Sequence, residues 1–228
     1  MGKLRAFVQL DFMTAKTGFQ PQTVLIYLAI TVAVLLFVRN AITVVWILAS
    51  FALSFINMPF GIGESRNMDA LYAMLNVSRK TVVKGRYIYA FTVLALAVVL
   101  CLLVGGVVLL LESVLDTNLY AGATFGIIAT IAAINVFTIS TQLPIFFRFG
   151  LGKSAGWTAI PNILIMLVPL FYFNMFLRPD FDGRIFALLE NPAVVIAGLA
   201  AVVTLLTVVV YVSYRVSVKF YIHTKREF

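Results

Sequence analysis

Six long apolar runs, residues 23–38, 41–60, 87–111, 121–147, 157–177 and 193–214, alternate with short polar stretches along the chain. About 20 helical residues cross a hydrocarbon core, so five runs are comfortable spans, and the first becomes one with Gln22 and Arg39 at its rims. None of the runs contains Asp, Glu, Lys or Arg, as expected where a mid-membrane charge costs about 2.5–3.5 kcal/mol. Run 121–147 would be about 40 Å long at 1.5 Å per residue, against a core of about 30 Å. It therefore tilts or protrudes, with Pro144 as a bend near its end.

Ahead of the first run, residues 3–16 place Leu4, Phe7, Val8, Phe12 and Ala15 on one helical face and Arg5, Gln9 and Lys16 elsewhere. Gly18 and Pro21 separate this segment from the first span, so it reads as an interfacial helix of its own. The longest polar interruption in the first half is Glu64 to Tyr87. Within it Met68, Leu71, Tyr72 and Leu75 recur at i, i+3, i+4 and i+7, the stripe of a short amphipathic helix, with Asp69 in its first turn where a carboxylate suits the helix dipole. Ser78 is then an N-cap for a second helix that runs into the third span. Arg79, Lys80, Lys84 and Arg86 cluster where anionic headgroups would sit. The pattern predicts an all-α, polytopic membrane protein forming one domain over 1–228, with six transmembrane helices, an N-terminal interfacial helix and a polar elbow between spans two and three.

Composition agrees. With 62% hydrophobic and 11% charged residues and a mean hydropathy of +1.05, the chain lies far from the soluble range. The net charge of +8 does not point to nucleic acid, because the basic residues fall in short groups between apolar runs. They orient the chain instead. With the N-terminus inside, the inner segments hold fourteen Lys and Arg and the outer ones only Arg39, Arg178 and Arg184. That bias predicts cytoplasmic termini, a cytoplasmic elbow and residence in the plasma membrane. The outer segment 178–192 holds Ile185, Phe186, Leu188 and Leu189, which fits either a helix dipping into the outer leaflet or an extension of the last span.

Catalytic chemistry has little to stand on. Gly152-Lys153-Ser154 ends like a phosphate-binding loop, but the required glycine five places earlier is Phe147 and an apolar helix, not a strand, precedes it; a short cytoplasmic turn is expected. His223, the single histidine, belongs to a basic tail, and Cys101, the single cysteine, to an apolar run, so no metal site or disulfide is predicted. No nucleophile has a base nearby, and no catalytic residue is assigned. Polar residues within the spans, Asn57, Asn135, Thr138, Gln142, Asn162 and Asn174 among them, could line a translocation path, although hydrogen bonds between helices account for any one of them more simply. Gly122 and Gly126 form a GxxxG pair that suits close helix packing.

Two strings carry a resemblance. Asp69, Leu75, Val77, Ser78, Arg79, Lys80, Val83, Gly85 and Tyr87 form one, and Leu143-Pro144-Ile145-Phe146-Phe147-Arg148-Phe149-Gly150 with Lys153 the other. In these strings and in its topology the chain resembles the permeases of ABC-2-type transporters, and among them the compact branch found with bacterial peptide and antibiotic exporters. Asn76 departs from the proline usual in that branch. The resemblance implies a non-catalytic permease whose elbow is a coupling helix, docking Met68, Asp69, Leu71, Tyr72, Leu75, Ser78, Arg79 and Lys80 against a separate cytoplasmic ABC ATPase. It implies ATP and magnesium in that partner and no cofactor here, a second permease as homo- or heterodimer, and export of an amphipathic or hydrophobic compound such as a peptide. Two other classes remain open at this point, a secondary transporter and a non-transporting scaffold or sensor. The first lacks ion-coupling carboxylates in its spans.

Overall fold

In a computed structural model of the chain, residues 2–18, 41–65, 77–110, 121–176 and 192–224 are described, with isolated positions at 22, 25, 26, 29, 30, 32, 33 and 72. Five helices make up these residues: α1 (Gly2–Gly18), α2 (Ala41–Ser65), α3 (Arg79–Leu110), α4 (Ala121–Phe176) and α5 (Pro192–Thr224). Three stretches among the described residues are long and apolar enough to cross a membrane, Arg79–Val107, Ile128–Ser154 and Pro192–Ile222. Run 41–60 is helical within α2 and run 157–177 within α4 through Phe176, whereas most of run 23–38 and the segments 111–120 and 177–191 lie outside the described residues.

Helix α2 continues through Glu64 to Ser65, into the stretch expected to be a polar break, and α3 begins at Arg79, directly after the predicted cap Ser78. Instead of a turn over 148–154, α4 is helical on both sides of a single residue, Gly150, whose φ of 76° and ψ of 171° interrupt it. Only glycine takes that backbone region without strain. The basic tail is likewise helical as far as Thr224, His223 included.

Two prolines buried in the bundle, Pro59 and Pro144, each remove a helical hydrogen bond, and both losses are made good by a neighbour. Pro59 leaves the Phe55 carbonyl without its usual N–H, and the Tyr89 hydroxyl of α3 donates to that oxygen at 2.9 Å. Pro144 does the same to Ser140, whose carbonyl accepts from the Ser213 hydroxyl of α5. Ser213 having spent its one proton there, Tyr87 donates to Ser213 at 2.6 Å and receives from Ser217 at 2.8 Å. A chain of hydroxyls thus joins α3, α5 and α4 without an orphaned donor. The non-helical residue of α4 is Gly150, six positions beyond Pro144.

The polar residues of the fourth run turn mostly inward to their own helix. Asn135 donates to the Ile131 carbonyl, Thr138 to Ile134 and Ser140 to Val136, at 2.7–2.9 Å. Back-bonding of this kind satisfies a hydroxyl or amide inside apolar surroundings. It replaces the interhelical bonds expected of Asn135 and Thr138. At Gly126 a Cβ would meet nothing within 4 Å, so among the described residues this half of the GxxxG pair makes no close contact.

The core gathers at the end of the bundle that carries the basic residues, where Phe7, Ile56, Phe60, Val83, Leu143 and Phe147 are buried together. The other faces of α3 and α5 stay open, with Leu96, Leu103, Ile196, Leu199, Val203 and Leu205 all more than half exposed. Apolar side chains standing outward along two span-length helices are what a lipid solvent permits.

Candidate functional site

The elbow and the helix ends beside it form the candidate site. Ser78 caps α3 as predicted, accepting from the Thr81 N–H at 3.2 Å through Oγ, while its carbonyl accepts from Thr81 and Val82 at 2.8 and 3.1 Å. Arg79 reaches across to donate to the Ile222 carbonyl at 2.9 Å, which ties the first turn of α3 to the last turn of α5. Ser78, Arg79 and Lys80 are exposed, a short polar ridge on a firmly anchored helix start.

Of the predicted amphipathic helix, Met68, Asp69, Leu71 and Leu75 lie outside the described residues. Tyr72 is described, and it faces inward: it is 4% exposed, with its ring 5.1 Å from that of Phe7. Its backbone carbonyl accepts from the Val77 N–H at 3.1 Å. Tyr72 therefore fastens the elbow to α1. Burial raises its hydroxyl above the usual tyrosine range, with the Arg86 cation pulling the other way.

Arg86 and Asp11 are where the structure departs most from the sequence. Arg86, by sequence one of a group of headgroup-facing cations, is 6% exposed, lies 4.2 Å above the Phe60 ring and pairs with Asp11 at 3.8 Å. Asp11, within a helix expected at the interface, is 1% exposed. Neither its Oδ2 nor the Arg86 Nε has a hydrogen-bond partner, so the pair is held by charge alone. The sequence carries the signal in outline: Asp11 falls four residues after Phe7 and four before Ala15, on the stripe that α1 buries.

Burial pushes the Asp11 carboxyl up from 3.8 to about 6, and the Arg86 cation opposes the shift without cancelling it. Between those pH values the folded chain holds a proton that the unfolded chain has lost. Lowering the pH from 7 towards 4 therefore stabilises the docked α1, by up to about 3 kcal/mol at 1.36 kcal/mol per pKa unit. Thermal unfolding of the full chain in detergent will show this rise, and Asp11→Asn, which cannot titrate, will flatten it.

The third feature is a staple. Beyond the break at Gly150, the N–H groups of Leu151 and Gly152 both donate to Oε2 of Glu64, at 2.8 and 3.0 Å. These are the first free amides of the second limb of α4, and a carboxylate suits that end of a helix. A Cβ on Gly150 would come within 2.9 Å of Glu64. The Gly152-Lys153-Ser154 string thus gives the Gly152 amide to a side chain of α2, and Ser154 donates to Leu151 within its own turn.

Together these elements wall a cleft of about 290 Å³, with Phe60, Tyr72, Phe147 and Tyr221 on its sides and Glu64, Arg86, Arg148 and Lys153 as its charges. Arg148 lies over Phe149 and Phe220 at 4.9 and 5.0 Å. Three cations and one engaged carboxylate leave the cleft basic. Among the described residues nothing in it pairs a nucleophile with a base, and no cluster of His, Cys, Asp or Glu could hold a metal ion.

Of the residues considered for a translocation path, Asn135, Thr138 and Gln142 are buried at 1–2% exposure, and Asn57 is half-buried with an Oδ1 that meets no donor. The side chains of Asn162 and Asn174 lie outside the described residues, though their backbone is helical. Asn135 faces α3, beside Leu94, Ala97 and Cys101.

In comparison with known proteins, the model of one family, described as ABC-2 family transporter protein, matches residues 7–222. No curated protein and no solved structure matches the chain.

Proposed function

The chain belongs to the ABC-2 transporter family and is a membrane-embedded permease subunit, and from that premise we propose that it couples ATP hydrolysis in a separate ABC ATPase to export of an amphipathic compound, a peptide in the first instance. The observation that carries this reading is the elbow: an exposed polar ridge, Ser78 to Lys80, on a helix start that is tied to α1, α2 and α5 at once. Force delivered there cannot dissipate in a loop. Closure of the ATPase dimer would press on the 68–75 segment and on this ridge, and α2 and α3 would tilt as levers on either side of it. Both termini and the elbow are then cytoplasmic, and two permeases, alike or different, enclose the path.

Lys80→Glu and Leu71→Asp test the coupling. Lys80 is exposed, so its reversal leaves folding within about 0.5 kcal/mol. ATP turnover of the complex with its cognate ABC ATPase will fall several-fold in both variants, while thermal unfolding of Lys80→Glu stays near wild type. Unchanged complex formation and turnover in both would end the proposal.

A further inference from the structure

A second cavity, of about 660 Å³, lies on the flank where α1 leans on α2 and α3, and the coupling reading makes no use of it. Its walls include Phe12, Ala52, Phe55, Ala97 and Leu100, and among the described residues Lys16 is the only charged one lining it. Besides Lys16 the one polar side chain among the described lining residues is Tyr89, whose hydroxyl is already committed to the Phe55 carbonyl. Two buried alanines, Ala52 and Ala97, keep it open, and Leu96 and Leu100 stand more than half exposed at its side. We infer that this groove binds one acyl chain of an anionic phospholipid, with the phosphate held by Lys16.

Length and charge select that occupant. Along α3 the groove runs from Tyr89 to Leu100, which is about 16 Å at 1.5 Å per residue. One leaflet of a hydrocarbon core about 30 Å thick has nearly that depth. The groove starts at the basic end of the bundle, and its single cation sits in the last turn of α1, where a headgroup phosphate meets a lysine whose stem lies along apolar surface. A peptide would leave backbone amides unsatisfied against such walls. A hydrocarbon chain would not.

The test is native mass spectrometry of the full chain in detergent, with phosphatidylglycerol or phosphatidylcholine added. Wild type will retain one phosphatidylglycerol per chain, in preference to phosphatidylcholine by about fivefold, as one lysine near a lipid surface supplies. Ala97→Phe, which fills the groove, will lower retention at least about tenfold, the scale of several lost methylene contacts. Lys16→Glu will erase the headgroup preference and keep phosphatidylcholine binding. In Leu100→Trp, a change at an exposed position, the new indole will be quenched by one equivalent of phosphatidylglycerol with brominated chains, so the result does not depend on whether Ala97→Phe folds. Absence of retained lipid from wild type, or equal retention in a folded Ala97→Phe, would overturn the inference. So would a dimer of the chain that forms without lipid and is lost in Ala97→Phe, since that would give the groove to a second copy.

Discussion

Arg86→Leu will destabilise the chain by about 3–5 kcal/mol at pH 7, the range for removing one partner of a buried ion pair. The substitution leaves Asp11, 1% exposed, with no cation to face. It also removes the guanidinium 4.2 Å above Phe60, a contact worth about 1–2 kcal/mol when desolvated. The loss depends on pH in a defined sense. Without Arg86 the cation that opposes burial at the Asp11 carboxyl is gone, so its pKa climbs beyond about 6 and it takes up a proton more readily. The deficit of Arg86→Leu relative to wild type is therefore smaller at pH 5 than at pH 7. Adding Asp11→Leu to Arg86→Leu will recover most of the stability, because two apolar side chains can replace a buried pair that lacks good hydrogen-bond geometry. Thermal unfolding of the two variants at both pH values checks all three statements. Equal losses in the single and double variants would refute the pairing.

Gly85→Ala will have the opposite sign from the usual effect of that change in a helix. Within an ordinary helix, alanine in place of glycine gains about 1 kcal/mol. Here the added Cβ would overlap the Phe7 ring at Cδ1 and Cε1, and overpacking of this kind costs about 1–3 kcal/mol. Phe7 cannot simply withdraw, since its ring also meets Tyr72 and it is 4% exposed. The expected consequence is that α1 lifts from α3 and Tyr72 loses its contact, so proteolysis after Lys16 accelerates along with the fall in melting temperature. Phe7→Leu, mildly destabilising alone, will relieve Gly85→Ala when the two are combined. A double-variant loss equal to the sum of the single losses would show that the two residues do not meet.

The apolar helices and the cap of α3 are legible in the sequence because each rests on a local rule. Runs without charges mark helices in lipid, and Ser78 needs only the amides just after it. What stays hidden depends on partners distant in the chain. Nothing in the neighbourhood of Arg86 distinguishes it from Lys84 until α1 is laid across them, burying the first and leaving the second exposed. Glu64 looks like the first residue of a polar loop, and only the break at Gly150, eighty-odd positions on, gives its carboxylate two amides to hold. The polar side chains of α4 suggest contacts between helices because sequence cannot tell a hydroxyl that turns back on its own carbonyl from one that reaches across. Tyr72 matches a stripe that could face outward; Phe7 decides that it faces in.

The hydroxyls at the two prolines also limit how the bundle can move. If α5 slid past α4 by a single residue, the Ser140 oxygen would be stranded in hydrocarbon, where an unmatched carbonyl costs several kcal/mol. Gradual gliding at that seam is thus forbidden, and α4 and α5 must travel as one body during any transport cycle. The same holds for α2 and α3 at Phe55 and Tyr89. Tyr87 and Arg79 carry the same restraint from α3 to α5, and Glu64 carries it from α2 to α4, so the two pairs can part only by breaking bonds that are few and nameable.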